Sequence, residues 1–454
     1  MVNRQMDRFF KPEAVAVIGA SAKARKVGHV IFRNFAEGPF RGKVFPINPN
    51  ATTLFGQKCF KSVLDIKEHV DLAVIAIPAK IVPQALHECG KKGIRAVIII
   101  TSGFKEIGNT ALEDKVAGII RKNKMRAIGV NCLGVFDPYS GVDTLFLPSY
   151  KLERPRKGHI AFISQSGAVG SVVLDWMAMM GYNLSKFISY GNATDVDERD
   201  LVEYLANDPK TKVICIYIEG VKQGRMFYEI AKKYADKKPI VILKGGITAE
   251  GSEAVSSHTG SLAGAKEIYE TAFRQAGMVQ ADDIEHVFDY ARVLSTQPRP
   301  KGKRVQIITD GGGFGILSTD WLIKHGLQLA KMNKKTVSAL MKQFSSYTIV
   351  KNPIDLTGAA NTEGYRLALN ASMADPNVDM VLVISLFQVP LLTPDVVEVI
   401  IEANKKKKKP LIVISAGGRY SEVLKKSLEN AGIPTFSSPN RASGALRALY
   451  DFGR

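Results

Sequence analysis

The sequence predicts an α/β chain of three consecutive blocks, each built on a parallel sheet, the first of them Rossmann-like. Three observations predict it. First, an apolar strand, a small-residue turn and a helical pattern recur in that order three times. The strands are 15–18, 160–163 and 305–308; the turns are Gly19-Ala20-Ser21, Ser164-Gln165-Ser166-Gly167 and Thr309-Asp310-Gly311-Gly312-Gly313. Second, the strands are continuous apolar runs rather than alternating ones, as in sheets covered by helices on both faces. Third, joints rich in Pro and charge, KLERPRKG at 151–158 and STQPRPKGK at 295–303, fall between the repeats. The expected domains are therefore 1–150, 151–298 and 299–454.

Length agrees: 454 residues at ~150 per domain give about three. A chain 46% hydrophobic and 23% charged can bury ordinary soluble cores. No apolar run approaches the ~18 residues of a membrane span, and residues 1–10 are charged, without a signal-peptide core. The expectation is a cytoplasmic chain that does not engage a membrane. The cysteines, Cys59, Cys89, Cys132 and Cys215, sit in or beside apolar segments without zinc or redox spacing, as reduced structural thiols do. The net charge of +19 is dispersed. Its densest run, 405–409, closes a helical pattern before Pro410, where the helix dipole favours cations. No basic stretch is interleaved with aromatics and no nucleic-acid motif occurs, so nucleic acid is not the expected partner. A polyanionic small ligand uses the same field.

In the first block, strands are expected near 14–18, 43–47, 72–77, 95–100 and 126–130. Ligands on such sheets bind at the C-terminal strand ends. Those ends carry Gly19-Ala20-Ser21, Asn48-Pro49, Ile77-Pro78-Ala79-Lys80, Thr101-Ser102-Gly103 and Asn131-Cys132-Leu133-Gly134. The dinucleotide fingerprint fails twice. The run from Gly19 to Gly28 is longer than G-x-G-x-x-G, and the second strand ends in Asn48 rather than an acid for a ribose hydroxyl. NAD is disfavoured; a nucleotide with an extra phosphate near Lys23, Arg25 and Lys26 fits better.

The second block opens on Ser164-Gln165-Ser166-Gly167-Ala168, whose helix start offers free N–H groups to an anion. Ser166 is no nucleophile elbow, because Ser164 stands where that motif needs glycine. The strand at 213–218 ends in Glu219-Gly220, and a carboxylate there can hold one imidazole nitrogen while the other stays a neutral nucleophile. After a further strand at 240–243 comes SSHTGSLAG at 256–264, with His258 among small and hydroxylated residues. An exposed imidazole beside a helix start suits a phosphate carrier; an ordinary loop histidine fits the same residues. The third block repeats the layout with GGGFG at 311–315 and a polar loop at 352–358. No Walker A, zinc or kinase motif occurs.

The succession of SQSGAVG at 164–170, IYIEG at 216–220 and SHTGSLAG at 257–264, with the NCLG turn at 131–134, resembles the α subunits of ADP-forming acetyl-CoA synthetases. These belong to the NDP-forming acyl-CoA synthetase superfamily, with succinyl-CoA synthetase as a relative. The resemblance covers essentially the whole chain. It implies a Rossmann-like CoA-binding domain followed by two flavodoxin-like domains, succinyl-CoA synthetase-like and ligase-CoA-like. On the CoA side it implies Gly19, Ser21, Lys26, Asn48, Pro49, Ile77, Pro78, Lys80, Ser102 and Gly103. Around the acyl group it implies Asn131 and Cys132, although a thiol acceptor at Cys132 has no evident histidine partner. It implies His258 as the phosphorylated residue, Glu219 as its orienting carboxylate, and Ser166, Gly167, Gly260 and Ser261 around the phosphate. CoA and phosphate are expected on this chain, which should need no metal of its own. Mg-ADP/ATP is expected on a separate ATP-grasp β subunit in an α2β2 assembly. The competing expectation is a non-catalytic CoA-binding scaffold or sensor that kept the fold.

Overall fold

The structure, a computed structural model, describes residues 2–248, 250–253, 255, 266–344 and 348–452. The described chain divides into two compact units, 1–280 and 281–454.

The first unit holds two main sheets. Strands β1 (Ala14–Ile18), β2 (Lys43–Ile47), β5 (Leu72–Ile75), β6 (Ala96–Ile99) and β7 (Arg126–Gly129) pair in parallel in the order β2-β1-β5-β6-β7. A short hairpin, β3 (Thr53–Leu54) and β4 (Gln57–Lys58), stands apart. β1 shows why the apolar run becomes a buried strand. Val15 and Val17 enter one core cluster while Ala14, Ala16 and Ile18 enter another, so both faces are covered. Helix α1 (Val2–Phe10) precedes these strands, and α2 (Val27–Glu37), α3 (Val82–Lys92) and α4 (Thr110–Lys122) follow β1, β5 and β6.

The second sheet runs β14-β13-β12-β10-β11-β8-β9: β8 (Gly134–Asp137), β9 (Val142–Asp143), β10 (Lys157–Ser164), β11 (Leu184–Ser189), β12 (Val213–Ile218), β13 (Ile240–Lys244) and β14 (Val279–Gln280). Five strands are parallel; β8 and β9 add an antiparallel edge. These two strands precede residue 150, so the first sequence block and the first sheet do not coincide. The reason is a contact distant in sequence: the Leu133 N–H donates to Ser189 Oγ at 3.1 Å, turning the chain onto β11. Helices α5 (Gly167–Met179), α6 (Glu198–Asn207) and α7 (Gly224–Ala235) connect the parallel strands.

The two sheets share one core. Val15, Val17, Val74 and Ile98 of the first lie in the same buried cluster as Ile163, Ile188, Ile214 and Ile216 of the second. Helix α1 joins them. Phe10 stacks on Tyr204 of α6 at 5.1 Å, and the Tyr204 hydroxyl donates to Asp7 Oδ1 at 3.1 Å. Beneath Phe10 the Lys186 ammonium pairs with Asp208 at 2.9 Å and Asp137 at 3.3 Å, all three buried.

The second unit is one sheet: β15 (Arg304–Thr309), β16 (Gln328–Leu329), β17 (Ile349–Val350), β18 (Ile354–Asp355), β19 (Met380–Ile384), β20 (Leu411–Ile414) and β21 (Thr435–Phe436). It is parallel except for β17. Helix Ile284–Thr296, which the sequence boundary at 298 places in the second block, packs in this unit against helix Pro439–Asp451. Charge explains it. Fully buried Asp289 is clamped by Arg441 at 2.6 and 2.9 Å, and Arg292 binds Glu429 at 2.9 Å.

Candidate active site

The C-terminal ends of both sheets in the first unit open onto one cleft of about 1590 Å³. From the first sheet come Gly19 after β1, Asn48 after β2, Ile77 after β5, Thr101 after β6 and Asn131 after β7. From the second come Gln165 after β10, Gly191 after β11 and Glu219 after β12.

On the first-sheet side, the β1 turn depends on glycine. Gly19 has φ +94°, and a Cβ there would stand 2.3 Å from the Ala76 carbonyl oxygen. Asn48 ties the turn down, its amide donating to Ala20 O at 2.7 Å. Ser21 Oγ accepts from Lys23 N–H at 3.1 Å, and Thr101 Oγ1 donates to Ile77 O at 2.8 Å. Lys23, Lys26, Lys61 and Lys105 bring positive charge to this side.

On the second-sheet side, Ser166 caps α5, its Oγ accepting from Val169 N–H at 3.4 Å. Gly167 follows at the helix start, and a Cβ on it would lie 3.6 Å from Leu133 Cβ. Gln165 holds the opposite turn, its Oε1 accepting the N–H groups of Glu219 at 2.7 Å and Gly220 at 3.1 Å. Glu219 is only 8% exposed, and Tyr217 OH donates to its Oε1 at 3.4 Å. Beside it β13 ends at Lys244. Burial pushes this ammonium below the usual lysine range, against the pull of Glu219.

Of the residues expected from sequence, Gly19, Ser21, Lys26, Asn48, Pro49, Ile77, Pro78, Ser102, Asn131, Cys132, Ser166, Gly167 and Glu219 all line the cleft. Lys80 and Gly103 do not. Lys80 sits exposed in a short turn of 3-10 helix, Ala79–Ile81, while Gly103 turns its N–H toward Glu106. His258, Gly260 and Ser261 lie outside the described residues. Burial pushes the Cys132 thiol up to about 12, and its Sγ faces Ile99 O at 3.4 Å, so it supplies no thiolate at neutral pH.

Asn192, in a turn that the sequence places on this same edge, also lines the cleft, with Lys222 and Glu106, which sequence reasoning missed. Lys222 stands three residues past Glu219, and its ammonium donates to Asn192 O at 2.8 Å and Ala193 O at 2.9 Å. Burial holds its pKa below the usual range, partly offset by Glu113. Among the described residues, no group of three or more His, Cys, Asp or Glu side chains is placed to hold a metal ion. Nor is any helix among them long and apolar enough to cross a membrane.

Arranged this way, the cleft offers a long cationic arm, an anion-receiving helix start and a sheltered carboxylate. A CoA binding domain matches residues 13–138, a succinyl-CoA ligase like flavodoxin domain 157–294, and a ligase-CoA domain 305–454. The chain is 42% identical over 452 residues to the alpha subunit of acetate–CoA ligase [ADP-forming] II of Pyrococcus furiosus, covering 98% of this chain and 97% of that one. It is 40% identical over 445 residues to the acetate–CoA ligase [ADP-forming] of Methanocaldococcus jannaschii, covering 97% of this chain but 62% of that one. The solved dinucleotide forming acetyl-coenzyme A synthetase 1 of Ca. Korarchaeum cryptofilum, in complex with phosphate and ADP, superposes with a TM-score of 0.93. Its identity is 37%, over 100% of this chain and 97% of that one. Matched end to end by such relatives, the chain belongs to the family of ADP-forming acetate–CoA ligase α subunits.

Proposed function

We propose that this ADP-forming acid–CoA ligase subunit converts acyl-CoA, phosphate and ADP to acid, CoA and ATP in three steps, the last with a partner. The observation that carries this is the single cleft, in which the CoA-side strand ends and the N-terminus of α5 line one space. In the first step a phosphate oxygen attacks the thioester carbonyl carbon. The C–S bond breaks, the thiolate takes a proton, and acyl phosphate and CoA result. The Ser166-Gly167 helix start offers N–H donors to the phosphate in both ground state and product. In the second step one nitrogen of His258 attacks phosphorus and the acyl oxygen leaves as carboxylate. Glu219, held by Gln165, accepts from the other ring nitrogen and stabilises the positive charge that develops. In the third, ADP takes the phosphoryl group and the imidazole is regenerated. Every step is reversible.

The CoA contacts on this reading are Gly19, Ser21, Lys26, Asn48, Pro49, Ile77, Pro78 and Ser102, with Asn131 beside the acyl group. Lys80 and Gly103 act at most through neighbouring residues. The domain limits proposed for function are the CoA-binding domain at 1–150, the phosphohistidine domain at 151–298 and the ligase-CoA-like domain at 299–454. We assign Mg-ADP/ATP to an ATP-grasp β subunit in an α2β2 assembly. The Methanocaldococcus chain, of which this one covers 62%, has room for such a portion in a single polypeptide. A cytoplasmic setting suits four buried, unbridged cysteines.

The test is incubation with ³²P-phosphate and acetyl-CoA. Acid-labile, base-stable label should appear on the chain and vanish in His258→Ala. Label that persists in that variant overturns the assignment of His258; a wild-type chain that binds CoA yet takes no label favours a CoA-binding scaffold. Glu219→Gln should slow labelling about tenfold or more while leaving CoA binding intact.

A further inference from the structure

We propose that Asn192 is a positioning residue that couples the CoA-side loop to the phosphate-side turn, so that thioester phosphorolysis depends on it while phosphoryl transfer to histidine does not. The inference rests on the function proposed above. Asn192 lies in the loop that follows β11 and sits between carboxylates from the first sheet's helices. Its Nδ2 donates to Glu106 Oε2 at 2.7 Å and to Glu113 Oε2 at 2.9 Å, and its Oδ1 accepts from Asn131 Nδ2 at 3.3 Å. The other oxygen of Glu106 accepts the N–H groups of Gly103 and, at 3.1 Å, Phe104, next to Ser102 in the cleft wall. On the far side, the Asn192 carbonyl accepts from Lys222, which follows the Glu219 turn.

An unbroken run of hydrogen bonds therefore links the Ser102 loop, Glu106, Asn192 and Lys222, ending at the segment that carries Glu219. The chemistry of the residue fits the place. Two carboxylates converge on one point and need two N–H donors there, while an acceptor must face Asn131. A carboxamide supplies both from one planar group; aspartate would present a third carboxylate. Burial alone would push the Glu106 carboxyl up. The Asn192 amide and the two backbone donors outweigh it and keep the group ionised.

A purely architectural role is separable, because the halves are pinned elsewhere. Arg126 at the start of β7 binds Asp195 at 2.9 Å and Asp200 at 2.6 Å without using Asn192. Removing the amide therefore leaves the sheets joined but lets the CoA loop and the Glu219 turn move independently. Phosphorolysis needs both, since the thioester arrives from one side and phosphate from the other. Transfer from acyl phosphate to His258 needs only the second.

The experiment uses the whole chain with its native partner and two labelled donors: acetyl-CoA with ³²P-phosphate, and acetyl-³²P-phosphate without CoA. In Asn192→Ala and Asn192→Asp, labelling from acetyl-CoA and phosphate should fall about tenfold or more, as when a reacting group is slightly misplaced. Labelling from acetyl phosphate should stay within about twofold of wild type, which also reports that the variants are folded. Equal losses with both donors would mean general loosening and overturn the proposal, as would no loss with either. A wild-type chain labelled by neither donor removes the phosphohistidine reading, and the coupling with it.

Discussion

Glu198, 3% exposed at the first turn of α6, has its pKa raised from 4.5 to about 7 by burial and by the neighbouring Asp197. A carboxyl raised in this way binds its proton more tightly in the folded chain than in the unfolded one. Stability therefore declines as pH climbs from about 4.5 through 7, and the deficit is complete above that range. Glu198→Gln removes the deficit. Its stability relative to wild type should be near zero at pH 4.5 and grow to about 1–3 kcal/mol by pH 8, read from thermal melts across that range. Cys132 leads to a different expectation. With a thiol pushed up to about 12, Cys132→Ala should keep acyl transfer within about threefold of wild type. Native protein should also resist iodoacetamide at this position, which peptide mapping reads directly. The lining of the cleft was legible in sequence where a residue's place is fixed by its own turn. Gly19, Asn48, Ser166 and Glu219 each stand at the end of an apolar run, where a parallel sheet must present them. The pairing of Asn192 with Glu106 and Glu113 was not legible, because those carboxylates follow strands of the other sheet, 86 and 79 residues away, and Lys222 was not legible because the turn it binds lies 30 residues back.

Among the elements, α2 shows how closely a helix can approach a strand end. A Cβ on Gly28 would stand 1.9 Å from the Gly19 carbonyl oxygen, and that atom belongs to the backbone and cannot swing aside. Gly28→Ala should therefore push α2 away from β1, at roughly 1–3 kcal/mol or more. It should weaken CoA binding, as measured by calorimetry, more than it slows labelling from acetyl phosphate. The Gly19 to Gly28 spacing departs from a dinucleotide fingerprint, yet its second glycine serves the helix–strand packing that the fingerprint's last glycine provides. The parallel strands were readable because each is a continuous apolar run. β8 and β9 were not readable as part of the second sheet. Four-residue and two-residue strands lack a period of their own, and the hydrogen bond from Leu133 to Ser189 that recruits them is long-range. Helix Ile284–Thr296 packs beyond the linker that follows it for a related reason. The linker composition that follows it is visible in sequence, whereas the Arg441 and Glu429 partners that hold it are more than a hundred residues on.

For the whole molecule, part of the positive charge behind the surplus of +19 stands at the cleft, which Lys23, Lys26, Lys61, Lys105 and Lys222 line. Raising ionic strength from ~0.05 to ~0.5 M should weaken CoA binding about tenfold, because exposed cations lose their reach as the Debye length shrinks. Titration calorimetry at the two salt levels checks it. The charge was readable from composition, but its concentration at one cleft was not, since those lysines are scattered from 23 to 222 in the chain. Helix α1 carries a consequence for synthesis. Met6, Phe9 and Phe10 are made long before α6, and Phe10 gains its stacking partner only when Tyr204 emerges. At about 5–20 residues per second, the Phe10 ring waits roughly 10–40 s for that partner. A nascent chain stalled before α6 should thus be sticky at this ring, a natural handle for chaperones until the second sheet arrives.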